Sequence, residues 1–168
     1  GHATTGTLSA ATYNVGIGVG CLDSITSGDH NHGLGIYSLT DVTTGNQNVA
    51  MGRYACGDVA TTNNNTGIGH LALRLTTGTG NIGLGYSAGD NITSGSGNVV
   101  IGYADVSSAT GNDQLSISTG DDGSVVWMTG DSSGNVTFPA EIDGATLDIS
   151  GNADIDGTTN LDAVDIDG

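Results

Sequence analysis

The chain has 168 residues, 30 of them glycine and one proline, with only 4% aromatic residues; 18 acids face two arginines, for a net charge of −16. Nucleic acid and anionic membranes both demand clustered Lys/Arg, so this balance argues against either as a partner. No apolar run approaches the ~18 residues of a membrane span, and collagen is excluded because glycine does not recur every third residue. What remains is a disordered chain or a repeat.

Residues 1–12 read as a tag remnant, Gly1-His2-Ala3, and a lead-in. From there a period of about 17 takes over. Asn14, Asn31, Asn48, Asn65, Asn81 and Asn98 open the segments NVGIG, NHGLG, NVAMG, NTGIG, NIGLG and NVVIG. Counting each Asn as position 0, position +3 is Ile17, Leu34, Met51, Ile68, Leu84 or Ile101, and +4 is always glycine. A second apolar column runs through Leu22, Leu39, Cys56, Leu73 and Val106, broken by Gly89; a third contains Ile25, Val42, Val59, Leu75, Ile92 and Ala109. Polar turns such as Thr43-Thr44-Gly45 close most repeats.

Seventeen residues are too few for a helical hairpin and suit one coil of a parallel β-solenoid, so residues 13–117 are expected to form about six coils of an all-β roll. Because side chains alternate along a strand, +1 and +3 share a face. That apolar face is expected to point inward, with the small residues at +2 outward. The glycine at +4 supplies a corner, and a second short strand is expected to carry the other two columns. The asparagines are expected to stack on their copies or bond turn backbone. A thin roll with few aromatics leaves apolar surface uncovered, so association between chains is expected.

The N-x-x-[ILM]-G repeat with Thr-Thr-Gly turns resembles the head repeats of trimeric autotransporter adhesins, and similar repeats occur in phage tail fibres. The resemblance implies a left-handed parallel β-roll, three copies of which pack around one axis as an intertwined homotrimer. Residues 118–134 read as a neck: Leu115-Ser116-Ile117-Ser118 and Val125-Val126-Trp127-Met128 as strands, parted by the turn signal Asp121-Asp122-Gly123. Residues 135–168 read as acidic β shaft repeats, with Ile-Asp-Gly at 142–144, 155–157 and 166–168 and 11 of the 18 acids from Asp121 onward. This segment is similar to the shaft repeats of phage tail fibres. The end falls within a continuing pattern, which reads as a fragment of a longer chain.

Little in the chain points to chemistry. The roll carries Asp23, Asp29, Asp41, Asp58, Asp90, Asp105 and Asp113, and the pattern singles out no acid pair of the kind a glycosidase needs. No catalytic, cofactor-binding or metal site is assigned, and no cofactor is expected. His30 and His32 could converge with their copies on a threefold axis to hold a metal, as in some trimeric phage fibres; a packed histidine (His32) beside a surface one (His30) is the preferred reading. His70 has no stronger reading. The Asp-x-Asp-Gly segments at 154–157 and 165–168 read as shaft turns rather than calcium loops. Cys21 and Cys56 lie two coils apart, about 10 Å, and are expected to be free core thiols. Thr26, Thr43, Thr44, Thr61, Thr62, Thr76, Thr77 and Thr93 read as corner residues bonding backbone, not as an ice-binding array. Tyr37, Tyr54, Tyr86 and Tyr103 suit glycan stacking or packing between subunits, the latter preferred.

The expected function is a non-enzymatic structural and adhesive module of a trimeric viral (phage) tail fibre in host-cell attachment, located in the virion. Its expected partners are two further copies, other fibre segments and a host-surface glycan or protein receptor. The alternative is the head of a bacterial trimeric adhesin at the cell surface; an ice-binding solenoid and a polysaccharide depolymerase rank below both.

Overall fold

Each repeat asparagine is followed by a three-residue strand, and like repeats place like residues side by side. The computed structural model describes residues 11–119 and 122–140. The strands are β1 (Val15–Ile17), β2 (His32–Leu34), β3 (Val49–Met51), β4 (Thr66–Ile68), β5 (Ile82–Leu84), β6 (Val99–Ile101), β7 (Leu115–Thr119), β8 (Val125–Gly130) and β9 (Val136–Thr137). They form one nine-stranded sheet in sequence order. The first seven are parallel and in strict register: Val15 pairs His32, His32 pairs Val49, and so on to Val99 with Leu115. The chain is therefore an all-β parallel solenoid of about six turns. β7 turns back antiparallel on β8 with a bulge at Ile117/Ser118, and β8 pairs β9. The two strands expected from the sequence in the 115–128 stretch are thus present, and the roll's sheet runs unbroken into them. Residues 1–10 of the tag remnant and lead-in, and residues 141–168 with the Ile-Asp-Gly recurrences and both Asp-x-Asp-Gly segments, lie outside the described residues.

The facing of the strands is the reverse of that expected. The +2 residues Gly33, Ala50, Gly67, Gly83 and Val100 are buried, whereas the +3 aliphatics from Ile17 to Ile101 are 37–58% exposed. The reason is space. A Cβ on Gly33 would stand 2.5 Å from Cys21 Sγ, and one on Gly67 would stand 2.7 Å from Cys56 Sγ. The interior behind the strand is already filled by the far wall of the coil, so only small residues fit there.

That far wall carries the core: Cys21, Leu22, Ile25, Leu39, Val42, Ala55, Cys56, Val59, Ala72, Leu73 and Ile92. It is not the expected second strand. Leu22, Leu39, Cys56 and Leu73 adopt left-handed backbone, φ 47–54°, and bend the chain around the core. Such strain costs on the order of 1–3 kcal/mol per residue, and burial of each large side chain offsets it by a similar amount. Gly89, which breaks this column in sequence, has the same backbone sign (φ 64°) without the steric cost. The space it leaves is bordered by Val100 Cγ2, Leu73 Cδ2 and Ile92 Cδ1, so the one bulky +2 residue compensates for the one missing leucine.

Leu75 does not belong to the third column. It is exposed, and Thr76 is buried in its place, because the short fourth repeat loses its residue in the turn (Thr77-Gly78) and not before it. Cys21 and Cys56 are free and buried, and burial pushes the Cys56 thiol up to about 12.

The asparagines form a single continuous ladder. Each Nδ2 donates to the preceding asparagine's Oδ1 (3.0–3.4 Å), which also accepts the same residue's backbone N–H (2.8–3.1 Å). Each Nδ2 also donates to a turn carbonyl one coil on, at Gly28, Gly45, Thr62, Gly78, Gly95 or Gly111 (2.7–3.0 Å). From Asn31 to Asn98 the ladder is fully buried, and among the described residues no buried side-chain polar atom lacks a partner. Gln114 takes the seventh place, which the sequence reading had not recognised. Its backbone N–H and Nε2 donate to Asn98 Oδ1, at 2.9 and 3.2 Å.

Candidate functional site

Turning the aliphatics outward creates an exposed apolar face along the whole roll. Val15, Ile17, Leu34, Met51, Ile68, Ile82, Leu84 and Ile101 are exposed on it, with Val49, Thr66 and Val99 half-buried. Leu115 and Ile117 continue the two columns, and Met128 pairs opposite Ile117. No charged side chain interrupts these columns from Val15 to Ile101. Its N-terminal part is a shallow depression lined by Val15, Ile17, His32, Leu34, Val49 and Met51. Exposed aliphatics scattered singly are ordinary, but an unbroken +3 column beside a +1 column interrupted only by His32 and Thr66 is not. At the C-terminal end Trp127 is exposed, its Nε1–H donating to Thr119 Oγ1 at 2.8 Å.

His32 lies on this outer face and is exposed. The expectation that it packs inside the roll is overturned with that of its column. His30 is exposed in left-handed backbone and stacks on Tyr13 at 4.9 Å. Such residues precede every ladder position (Tyr13, His30, Gln47, Asn64, Gly80, Gly97, Asp113).

The corner after the +4 glycine gathers most of the aromatic residues and both arginines. Tyr37 stacks on Tyr54 at 5.0 Å, while Tyr86 meets His70 at 5.3 Å and Tyr103 at 5.1 Å. Arg53 and Arg74 place their guanidinium carbons 5.0 and 5.7 Å from the centre of the Tyr54 ring. The tyrosines thus pack in two pairs on adjacent coils, Tyr37 with Tyr54 and Tyr86 with Tyr103.

The threonines act as turn residues. Thr26, Thr43, Thr77 and Thr93 each donate a hydroxyl proton to a carbonyl of the following coil, at 3.0–3.2 Å. Two positions before each ladder asparagine runs a second polar file that the sequence reading missed: Thr12, Asp29, Asn46, Asn63, Thr79, Ser96 and Asn112. Here the earlier coil donates to the later: Asp29 N–H to Asn46 Oδ1 (2.8 Å), Asn46 to Asn63 (2.7 Å) and Ser96 to Asn112 (2.9 Å). The signal was present, a polar residue at fixed phase, but it was hidden in turns that are polar throughout.

The carboxylates divide into two electrostatic groups. Asp29, Asp122 and Asp131 are held below the usual range, chiefly by N–H and O–H donors from Thr12, Ser124 and Asn135. Asp58 and Asp105 are raised, mainly by burial, with repulsion from Asp41 and Asp90 adding to it. A carboxyl raised in the folded state contributes stability at low pH that is lost as pH rises through its folded value; a lowered one contributes stability lost as pH falls through its own. Stability is therefore expected to be greatest in mildly acidic solution. The variant Asp58→Asn/Asp105→Asn should melt about 1–2 °C higher than the parent at neutral pH and lose the parent's gain on acidification toward pH 5, as read by thermal melts across pH.

In comparisons with known proteins, no family model matches the chain, and no curated protein or solved structure is significantly similar to it.

Proposed function

We propose that this chain is a non-enzymatic structural and adhesive module of a trimeric viral tail fibre that takes part in host-cell attachment. The observation that carries the reading is the exposed apolar face. One aliphatic column, and a second interrupted by His32 and Thr66, run the length of the solenoid with one rung per ~4.8 Å. A partner covering them must present complementary side chains at the same pitch over six coils. A second copy of the same roll, lying alongside in parallel, does so by construction, and closed rotational symmetry lets every copy cover its neighbour. The number three comes from the resemblance to trimeric fibre and adhesin repeats, as does the placement in a virion. An unbroken sheet and a buried amide ladder give the stiff rod that a fibre requires.

Light scattering coupled to size exclusion tests the reading. The chain is expected at three times its 16.6 kDa mass. The variant Ile68→Asp/Ile101→Asp should fall to the monomer mass with unchanged far-ultraviolet circular dichroism, because these side chains contribute to no core of their own roll. A parent chain that is monomeric at high concentration overturns the assembly.

A further inference from the structure

We propose that the corner formed by Arg53, Tyr54, His70 and Arg74 is a binding site for a glycan that carries an isolated anionic group, a carboxylate or a sulfate. The site gives the adhesive reading above a ligand class, and rests on that reading for its biological setting.

Charge is the first argument. The sequence has two strong cations in 168 residues, separated by 21 positions. The winding brings both to one tyrosine ring, their guanidinium carbons 5.0 and 5.7 Å from its centre and so no more than about 11 Å from each other. Two like charges gain nothing from this proximity by themselves. Each gains about 0.5–1 kcal/mol from the ring face at an exposed site, which holds them together with no anion present. Both side chains are exposed. A guanidinium has five N–H donors and no acceptor, in a planar fork that matches a carboxylate or sulfate. His70 occupies the place of Arg53 one coil further on, its imidazole set against Tyr86.

Shape is the second. Tyr37 and Tyr54 form one pair of rings at 5.0 Å, and His70, Tyr86 and Tyr103 a second group at 5.1–5.3 Å, on either side of the arginines along the roll. Tyr37, Tyr86 and Tyr103 are exposed. Their edges and free faces offer an apolar surface with hydroxyl tips, suited to the C–H face of a pyranose and to its hydroxyls. The two groups together span about five coils, roughly 20 Å, the length of a short oligosaccharide.

The rest of the molecule limits the ligand. Seven aspartates share the roll with these two arginines, and the Asp58 carboxylate is near enough to feel the Arg74 charge. A densely charged polyanion would meet the repulsion of the whole chain. A mostly neutral glycan with one acidic group places its charge at the cationic corner and its neutral rings on the tyrosines.

Isothermal titration of the full chain with sialyllactose, sulfated lactose and lactose at low salt tests the proposal. Both acidic sugars are expected to bind at least tenfold more tightly than lactose. Arg53→Gln and Arg74→Gln should each weaken acidic-sugar binding about fivefold to tenfold, and the double variant should reduce it to the level of lactose. Glutamine keeps much of the aliphatic stem at two exposed positions, so each variant should melt no more than about 1–4 °C lower, the loss of its contact with the ring. Equal affinity for acidic and neutral sugars, or unchanged binding by the double variant, overturns the site. Tighter binding of dextran sulfate than of sialyllactose overturns the preference for sparse charge. The solution mass of the double variant reports separately on assembly, so loss of the ligand site and loss of the fibre reading give different results.

Discussion

Replacing Asn65 with aspartate is expected to lower the stability of the roll by about 3–5 kcal/mol at neutral pH. The side chain is fully buried and works in both directions. Its Nδ2 donates to Asn48 Oδ1, Thr62 Oγ1 and Gly78 O, and its Oδ1 accepts from the backbone N–H and Nδ2 of Asn81. A carboxylate keeps the acceptor and removes the donors, turning an oxygen toward two buried carbonyl oxygens, Asn48 Oδ1 and Gly78 O, with only the Thr62 hydroxyl able to turn and donate to it. A melting temperature lower by roughly 10 °C is the expected reading. The loss should shrink in acid, because burial raises a carboxyl's pKa and the protonated form recovers one donor. Melts of variant and parent at matched pH test this. A variant as stable as the parent at pH 7 would mean that the ladder is a consequence of the winding and not one of its causes.

Gly69→Ala is expected to be nearly as damaging, about 3 kcal/mol or more. Two independent constraints meet at this residue. Its φ of +139° lies where side chains are rarely tolerated, and an added Cβ would run into the backbone carbonyl of Gly85 in the next coil. Only a shift of a whole coil could relieve that contact. Gly57→Ala provides the comparison: the nearest atom to its Cβ would be Tyr54 O at 3.3 Å, and its φ is not positive. Its cost should stay within about 1 kcal/mol. Denaturant unfolding of both variants would separate the corner glycines from those that merely occur in the coil.

The period, the file of asparagines and the corner glycines were all legible in the sequence, because each depends on a residue meeting its own copy 16 or 17 positions away; the free thiols were legible from the separation of Cys21 and Cys56 by two coils. The strand facing was not. Hydrophobicity alone assigns Ile17, Leu34 and Met51 to the inside and glycine to the outside, and within one chain that is the reasonable choice. The real interior is set by the reach of Cys21, Leu39, Cys56 and Leu73 from the opposite wall, which local alternation does not encode. The misplacement of Leu75 has a similar origin. Two neighbouring residues compete for one core position, and only the location of the missing turn residue decides for Thr76. The cationic corner was missed for a different reason: Arg53 and Arg74 hold non-equivalent places in their repeats, so no column joins them.

Gln114 has a consequence for how long the solenoid can grow. An asparagine at that place would leave its oxygen facing the next coil, ready to receive two donors. One additional methylene instead folds the oxygen back into its own coil, where it accepts from Ser107 Oγ and Ser108 N–H at 2.9 and 3.0 Å. The last rung thus donates to its predecessor and turns its acceptor away from the next coil, and β7 then leaves the winding for an antiparallel hairpin with β8. The winding accordingly ends on a rung that closes its own amide ladder, and a longer rod would need both a further repeat and Gln114→Asn to carry the ladder into it.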